Sequence, residues 1–250
     1  MKLSVIIPFY GELDLIGRAV NSVLNNADVV EQVEILICND SPISEVDVLA
    51  RLDSECLSFV RIIKNDLARG PGGARNTGLN NSSGQLVAFL DADDYWLPGK
   101  IAAQVETLRQ GANFIATSYS FENSGNLITP PMCISHPLDI FTKRGIGTST
   151  VLMTRELLQS YRFRDIRFAQ DIDFWYALSH SSIFKYSMVQ KPFVVYSTGG
   201  STKNKFEQLK YLYRVLALND IPLLPRSRIL LSYAVAGTFN HLIKHRITLT

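Results

Sequence analysis

Three carboxylates fall within four positions at Asp91-Ala92-Asp93-Asp94, directly after the apolar run 86–90. Like charges so close repel unless a cation or hydrogen-bond donors neutralise them, and carboxylate oxygens suit hard Mg²⁺ or Mn²⁺. The competing reading makes one Asp a helix cap and leaves the others to solvent. An EF-hand is excluded, because Tyr95 and Trp96 stand where a calcium loop needs an oxygen ligand and then glycine. A second constellation, Arg69-Gly70-Pro71-Gly72-Gly73-Ala74-Arg75-Asn76-Thr77-Gly78, is a glycine-rich turn leading into a helix. There the backbone can approach a phosphate closely while Arg75 offers a fixed cationic fork; a plain surface connection is the alternative. It is neither a dinucleotide fingerprint, since Arg75 takes the third glycine's place, nor a Walker A loop.

Two single acids join these. Asp40 ends an apolar run at 33–38 and could accept from a uracil imide N–H, or simply form an Asx turn before Pro42. Asp171 opens the aromatic-rich segment Gln170-Asp171-Ile172-Asp173-Phe174-Trp175, as a general base or as an acid favoured at a helix N-terminus; Asp173 should point elsewhere. His136, His180, His241 and His245 have no ligand-like spacing, and neither GxSxG nor HExxH occurs.

The elements that must position these residues follow from periodicity. Apolar runs at 3–7, 33–38, 59–64 and 86–90 alternate with amphipathic segments at 12–26, 44–53 and 74–81, the pattern of a parallel sheet with flanking helices. A helix over 98–110, a strand at 114–119, irregular chain at 129–137, strands at 148–153 and 193–196, and a helix at 171–179 continue the chain. The last 46 residues read as two helical pieces divided by Pro222 and Pro225. In an open α/β sheet ligands bind beyond the carboxyl ends of strands, where Pro8, Tyr10, Glu12, Asp40 and Asp91 all fall.

Composition narrows the classes. With 250 residues, 46% hydrophobic and 19% charged, the chain is a folded domain, neither disordered nor collagen-like. A net charge of +2 gives no field that would select nucleic acid. Cys38, Cys56 and Cys133 form no CxxC pair, which fits a reducing compartment. The first residues lack a signal peptide's apolar stretch, and no run of 18 apolar residues follows, so neither export nor spanning is expected.

Val5-Ile6-Ile7-Pro8-Phe9-Tyr10, Cys38-Asn39-Asp40-Ser41, Ala74-Arg75-Asn76-Thr77-Gly78, Phe89-Leu90-Asp91-Ala92-Asp93-Asp94 and Gln170-Asp171, in this order, resemble the family 2 glycosyltransferases of GT-A fold over about residues 1–200. The resemblance implies a Rossmann-like, nucleotide-binding α/β domain over 1–203, with a mostly parallel central sheet; the helical C-terminal tail over 204–250 comes from the pattern alone and carries no family motif. It implies a nucleotide-diphosphate sugar donor, preferably UDP-linked, a divalent Mn²⁺ or Mg²⁺, and inversion at the anomeric carbon. Pro8, Tyr10 and Glu12 would line the nucleoside pocket, Asp40 would read the base, and Arg75 would sit beside the nucleotide. Asp91 would meet the ribose or metal-bound water, Asp93 would hold the metal, and Asp171 would be the base.

The chain departs from the family pattern in three places. Gly11 replaces a frequent Asn, Ser41-Pro42-Ile43 replaces a Gly-Ser continuation, and the stretch 196–202 lacks the His that many relatives carry, leaving Ser201, Thr202 or Lys203 for donor closure. The segment 226–246 mixes apolar residues with Arg226, Arg228, Lys244, His245 and Arg246. It suits an anionic membrane surface, packing on its own domain, or a second copy of the chain in a homodimer. The expected reaction is sugar transfer to a saccharide or lipid-linked saccharide in bacterial surface polysaccharide or lipopolysaccharide assembly. The expected place is the cytoplasm or the cytoplasmic face of the inner membrane. A nucleotidyltransferase, which would leave Asp171 without a task, and a non-catalytic nucleotide-sugar-binding protein are the alternatives.

Overall fold

The computed structural model describes residues 1–143, 145–197 and 205–233, with backbone alone at 205 and 206. The first strand, β1 (Lys2–Phe9), sends Leu3, Val5, Ile7 and Phe9 into one core and Ile6 into another, each 1% exposed or less. A strand covered on both faces keeps no polar alternation, which is why its sequence is almost continuously apolar. The chain continues through α1 (Ile16–Leu24), β2 (Gln32–Asn39), α2 (Glu45–Leu49), β3 (Val60–Lys64), α3 (Pro71–Asn81) and β4 (Leu86–Phe89). There follow β5 (Tyr95–Trp96), α4 (Lys100–Arg109), β6 (Phe114–Phe121), β7 (Leu127–Ile128), α5 (Asp139–Thr142), β8 (Leu152–Thr154) and α6 (Arg155–Leu158). Last come α7 (Gln170–Leu178), β9 (Tyr186–Tyr196), α8 (Lys205–Leu218) and a helical stretch at 223–233.

The strands form one sheet in the order β3-β2-β1-β4-β8-β6-β9-β5, with β7 beside β6. β3, β2, β1 and β4 run parallel; β8 is antiparallel to β4 and β6, and β9 is parallel to β6. Because β2 and β4 lie on opposite sides of β1, the carboxyl end of β1 is a topological switch point, where such sheets open a crevice. Helices α1 and α4 cover one face through Ile16, Val20, Val23, Ile101 and Val105. Helices α3, α6 and α7 cover the other through Ala74, Leu79, Leu157, Phe174 and Trp175. A third core joins Phe141 of α5 to Leu212, Val215 and Leu216 of α8 and to Ile221 and Ile229, with Ile172 of α7 packed against it.

This is the expected α/β architecture with helical residues at the C-terminal end, and the local differences have physical causes. Residues 12–15 are a turn, since Glu12 spends its carboxylate on the N–H groups of Tyr10 and Gly11, so α1 starts at Ile16. Helix α3 begins at Pro71, three residues before the expected start, because proline suits a first helical position and the glycines behind it fit inside the first turn. The expected strand at 148–153 is a 3₁₀ turn over Thr148–Thr150 followed by β8. β9 starts seven residues earlier than expected, and β5 and β7 are too short to carry a periodic signal. Within 226–246, Ile229 is buried in the third core, with Leu230 and Tyr233 against it, while Leu231 stays 66% exposed. Residues 234–246 of that segment lie outside the described residues. Among the described residues no helix is long and apolar enough to cross a membrane.

Candidate active site

A cleft of about 1280 Å³ opens at the switch point and brings together Pro8, Tyr10, Glu12, Asp40, Arg75, Asp91, Asp93 and Asp171. Tyr10 stands 67% exposed at its mouth. The Glu12 Oε2 accepts from the N–H groups of Tyr10 (2.8 Å) and Gly11 (2.9 Å), which fixes the loop after β1. The Asp40 Oδ1 accepts from Asn65 Nδ2 and its Oδ2 from the Gly70 N–H, both at 2.7 Å, so this carboxylate also pins the glycine-rich turn. That turn needs its glycines: Gly70 has φ of 99°, and a Cβ at Gly73 would lie 1.6 Å from the Ala68 carbonyl oxygen.

Helix α3 delivers Arg75 into the cleft floor, 5% exposed, where its Nη2 donates to Asp91 Oδ1 at 2.5 Å. Its guanidinium carbon lies 5.5 Å from the Phe163 ring centre, and its buried Nε meets no acceptor. Burial raises the Asp93 carboxyl above its ordinary range, with the charges of Asp91 and Glu12 adding to it and a 2.5 Å hydrogen bond from Ser197 Oγ opposing it. Asp94 is buried, and burial with the neighbouring Asp91 and Asp93 charges pushes it up to about 8. Its oxygens accept from Ser149 Oγ (2.7 Å) and the Ser197 N–H (3.0 Å).

Ser149, which the sequence did not single out, is the hub beneath this loop. It is fully buried; its Oγ also accepts from the Asp91 N–H (3.1 Å), its carbonyl from Trp96 Nε1 (2.9 Å), and its N–H donates to Tyr196 Oη (3.2 Å). Arg18 braces the same loop from α1 by donating to the Asp93 carbonyl (2.9 Å).

Across the cleft Asp171 lies in the first turn of α7, behind Ala169, a non-glycine residue at φ 57°. Such backbone strain concentrates at functional sites. Burial raises the Asp171 carboxyl, aided by the Asp91 charge and opposed by the Ile172 N–H (2.9 Å) and by Arg75. The starts of α3 and α7 touch, since a Cβ on Gly72 would come within 2.9 Å of the Gln170 carboxamide. Asp173 points away, as expected, accepting from Asn219 Nδ2 (2.7 Å) and facing Arg164 Nε (3.5 Å). Gln208, Tyr211, Leu212 and Tyr233 close the cleft's far side, a contribution no motif announced. Ser201, Thr202 and Lys203, expected near the donor, lie outside the described residues.

Among the described residues no three His, Cys, Asp or Glu side chains form a complete cation cage. The donor set nonetheless fits Mg²⁺ or Mn²⁺, which keeps several waters and takes one or two carboxylates together with substrate phosphates. A desolvated Asp93 beside Asp91 and Glu12 has a surplus of negative charge of the kind a divalent cation relieves.

The family model described as "Glycosyl transferase family 2" matches residues 4–190. The chain is 30% identical over 256 residues to the UDP-Glc:alpha-D-GlcNAc-diphosphoundecaprenol beta-1,3-glucosyltransferase WfgD of Escherichia coli, covering 98% of this chain and 96% of that one. Among solved structures it is similar to S. aureus TarS in complex with UDP-GlcNAc, with a TM-score of 0.66 at 18% identity over 94% of this chain and 72% of that one. It is likewise similar to the mannosyltransferase PcManGT from Pyrobaculum calidifontis in complex with GDP-Man and Mn²⁺, with a TM-score of 0.63 at 18% identity over 93% and 68%. At that identity the two structures bear on the fold, which is the GT-A fold. The family match decides among the three activities left open by the residues: the chain belongs to glycosyl transferase family 2 and is a glycosyltransferase.

Proposed function

We propose that this enzyme moves a sugar from a UDP-sugar to a hydroxyl of a lipid-linked saccharide, with inversion and with Mn²⁺ or Mg²⁺, in bacterial surface-polysaccharide assembly at the cytoplasmic face of the membrane. One observation carries the reading: Asp171 faces the Asp91–Asp93 rim within a single cleft, and Arg75 acts on both sides of it. The UDP-sugar and diphospholipid acceptor named for WfgD support the donor and acceptor classes. The Mn²⁺ held by PcManGT with its nucleotide sugar supports the metal.

In this reading Tyr10 and Pro8 flank the nucleoside, and Asp40 reads the base through the lone pairs its two hydrogen bonds leave open. Arg75 holds Asp91 toward the ribose. Asp93 would hold the divalent cation, with Asp91 meeting the ribose or a water on that cation, and the cation would supply electrostatic stabilisation of the departing diphosphate. Asp171 takes the proton from the acceptor hydroxyl as its oxygen bonds to the anomeric carbon. The bond from that carbon to the β-phosphate oxygen breaks, and the nucleoside diphosphate leaves with the electron pair. A base whose carboxyl is raised by burial is better matched to that proton than a free aspartate.

The test is calorimetry of UDP binding with and without Mn²⁺. Asp93→Ala is expected to abolish the metal-dependent part of the affinity; metal-dependent binding that survives the substitution unchanged refutes the ligand role.

A further inference from the structure

Beyond Asp171 the cleft changes character. Its wall there is Arg167 and Phe168, just before α7, and Tyr211 of α8. The Phe168 and Tyr211 rings pack with centroids 4.0 Å apart, and the Arg167 guanidinium carbon lies 5.4 Å from the Phe168 ring centre. The same three residues border a second hollow of about 150 Å³, lined otherwise by Ile166, Val215 and Leu218, with Arg214 at its edge. An apolar hollow of that size takes a benzene-sized hydrocarbon group. Among the described residues Arg18, Arg75 and Arg164 each face a carboxylate, whereas Arg167 and Arg214 face none. Arg167 lines both the cleft that holds Asp171 and the apolar hollow, and Arg214 lines the hollow alone, so the two spaces are joined at guanidinium groups without acidic partners. An amphiphile built as sugar, diphosphate and hydrocarbon matches that juxtaposition, with guanidinium forks suited to bidentate phosphate contacts.

We infer that Arg167 and Arg214 bind the diphosphate of a polyprenyl-diphosphate-linked acceptor, and that the hollow between Ile166, Val215 and Leu218 receives its first isoprene unit. The inference rests on the lipid-linked acceptor proposed above and assigns it to this chain's own residues. The Phe168–Tyr211 pair is the partition between the sugar and hydrocarbon compartments, and it ties the acceptor's position to the seating of α8 on α7.

Titration calorimetry with farnesyl diphosphate tests this, using the full chain with UDP and Mn²⁺ present to fill the donor end. R167A/R214A is expected to weaken binding tenfold or more, and L218E likewise by placing a charge on the hollow's rim. All three positions are exposed, so the variants are expected to fold. Inorganic pyrophosphate is expected to bind at least tenfold more weakly than farnesyl diphosphate. Farnesyl diphosphate that fails to bind the wild type, that binds R167A/R214A within twofold of the wild type, or that binds no better than pyrophosphate overturns the inference. The titration needs no turnover. Intact arginine-dependent binding without any sugar transfer would sink the proposed reaction alone, and transfer by R167A/R214A at wild-type acceptor KM would sink the subsite alone.

Discussion

Replacing Ser149 with alanine removes one hydroxyl and leaves two groups without their partner, one on the half-buried Asp91 and one on the buried Asp94. The Asp91 N–H loses its acceptor at 3.1 Å, and the Asp94 Oδ2 loses its donor at 2.7 Å. The site is fully buried, so water cannot substitute without rearrangement. Each stranded group costs roughly 1–3 kcal/mol, and about 3 kcal/mol for the pair is the expected total. For a chain of this length that lowers Tm by about 6 °C or more. The loss falls on the loop that carries Asp91 and Asp93, so KM for the nucleotide sugar is expected to rise more than KM for the acceptor. Urea unfolding measures the first effect and initial rates at varied donor the second. A loss of stability under about 0.5 kcal/mol, together with an unchanged donor KM, would refute the idea that Ser149 holds the acidic loop.

Two further outcomes follow from titrating groups. Glu34, on the strand β2 next to β1, feels burial upward, but bonds from Ser4 Oγ (2.6 Å), the Ser83 N–H (2.6 Å) and Lys2 Nζ (3.0 Å) outweigh it and take its carboxyl down to about 2 from 4.5. A depressed carboxyl adds stability that is complete above about pH 4.5 and fades as pH falls toward 2, on the order of 3 kcal/mol. Glu34→Gln should therefore lose most of that stability at pH 7 and little at pH 2.5, with donor KM untouched; equal losses at both pH values would count against it. The burial that raises Asp171 should place the acid limb of kcat/KM above the 3.8 of a free aspartyl group, since the base must be ionised and activity falls as pH drops through its folded value. A limb at or below 3.8 would show that another group governs the rate.

The layered architecture was legible because it rests on local pattern. Apolar runs marked the four parallel strands, and Pro8, Tyr10, Glu12, Asp40, Asp91 and Asp93 fall within a few positions of the ends of β1, β2 and β4, so their convergence on one rim came with the topology. What escaped depends on partners distant in the chain. Ser149 is 55 residues from Asp94, and Ser197 is 104 from Asp93, so nothing in their surroundings marks either as part of the acidic loop. Tyr211 and Tyr233 sit in ordinary amphipathic helices, and only the third core, closing on Phe141 and Ile172, brings those helices to the cleft. Asp40 illustrates a middle case. It lines the cleft, as the first reading of its sequence context expects, but the Asx turn of the second belongs to Asn39, whose Oδ1 accepts from the Ser41 N–H, while Asp40 itself holds Asn65 and Gly70.

Sugar transfer by Asp171→Asn bears most directly on the central claim that this carboxylate is the base facing an acidic, nucleotide-binding rim. With UDP-sugar donor and a saccharide diphospholipid acceptor, the rate is expected to fall by about two orders of magnitude or more while calorimetric affinity for UDP and Mn²⁺ stays within about twofold. Transfer at a near-normal rate by Asp171→Asn would contradict the account.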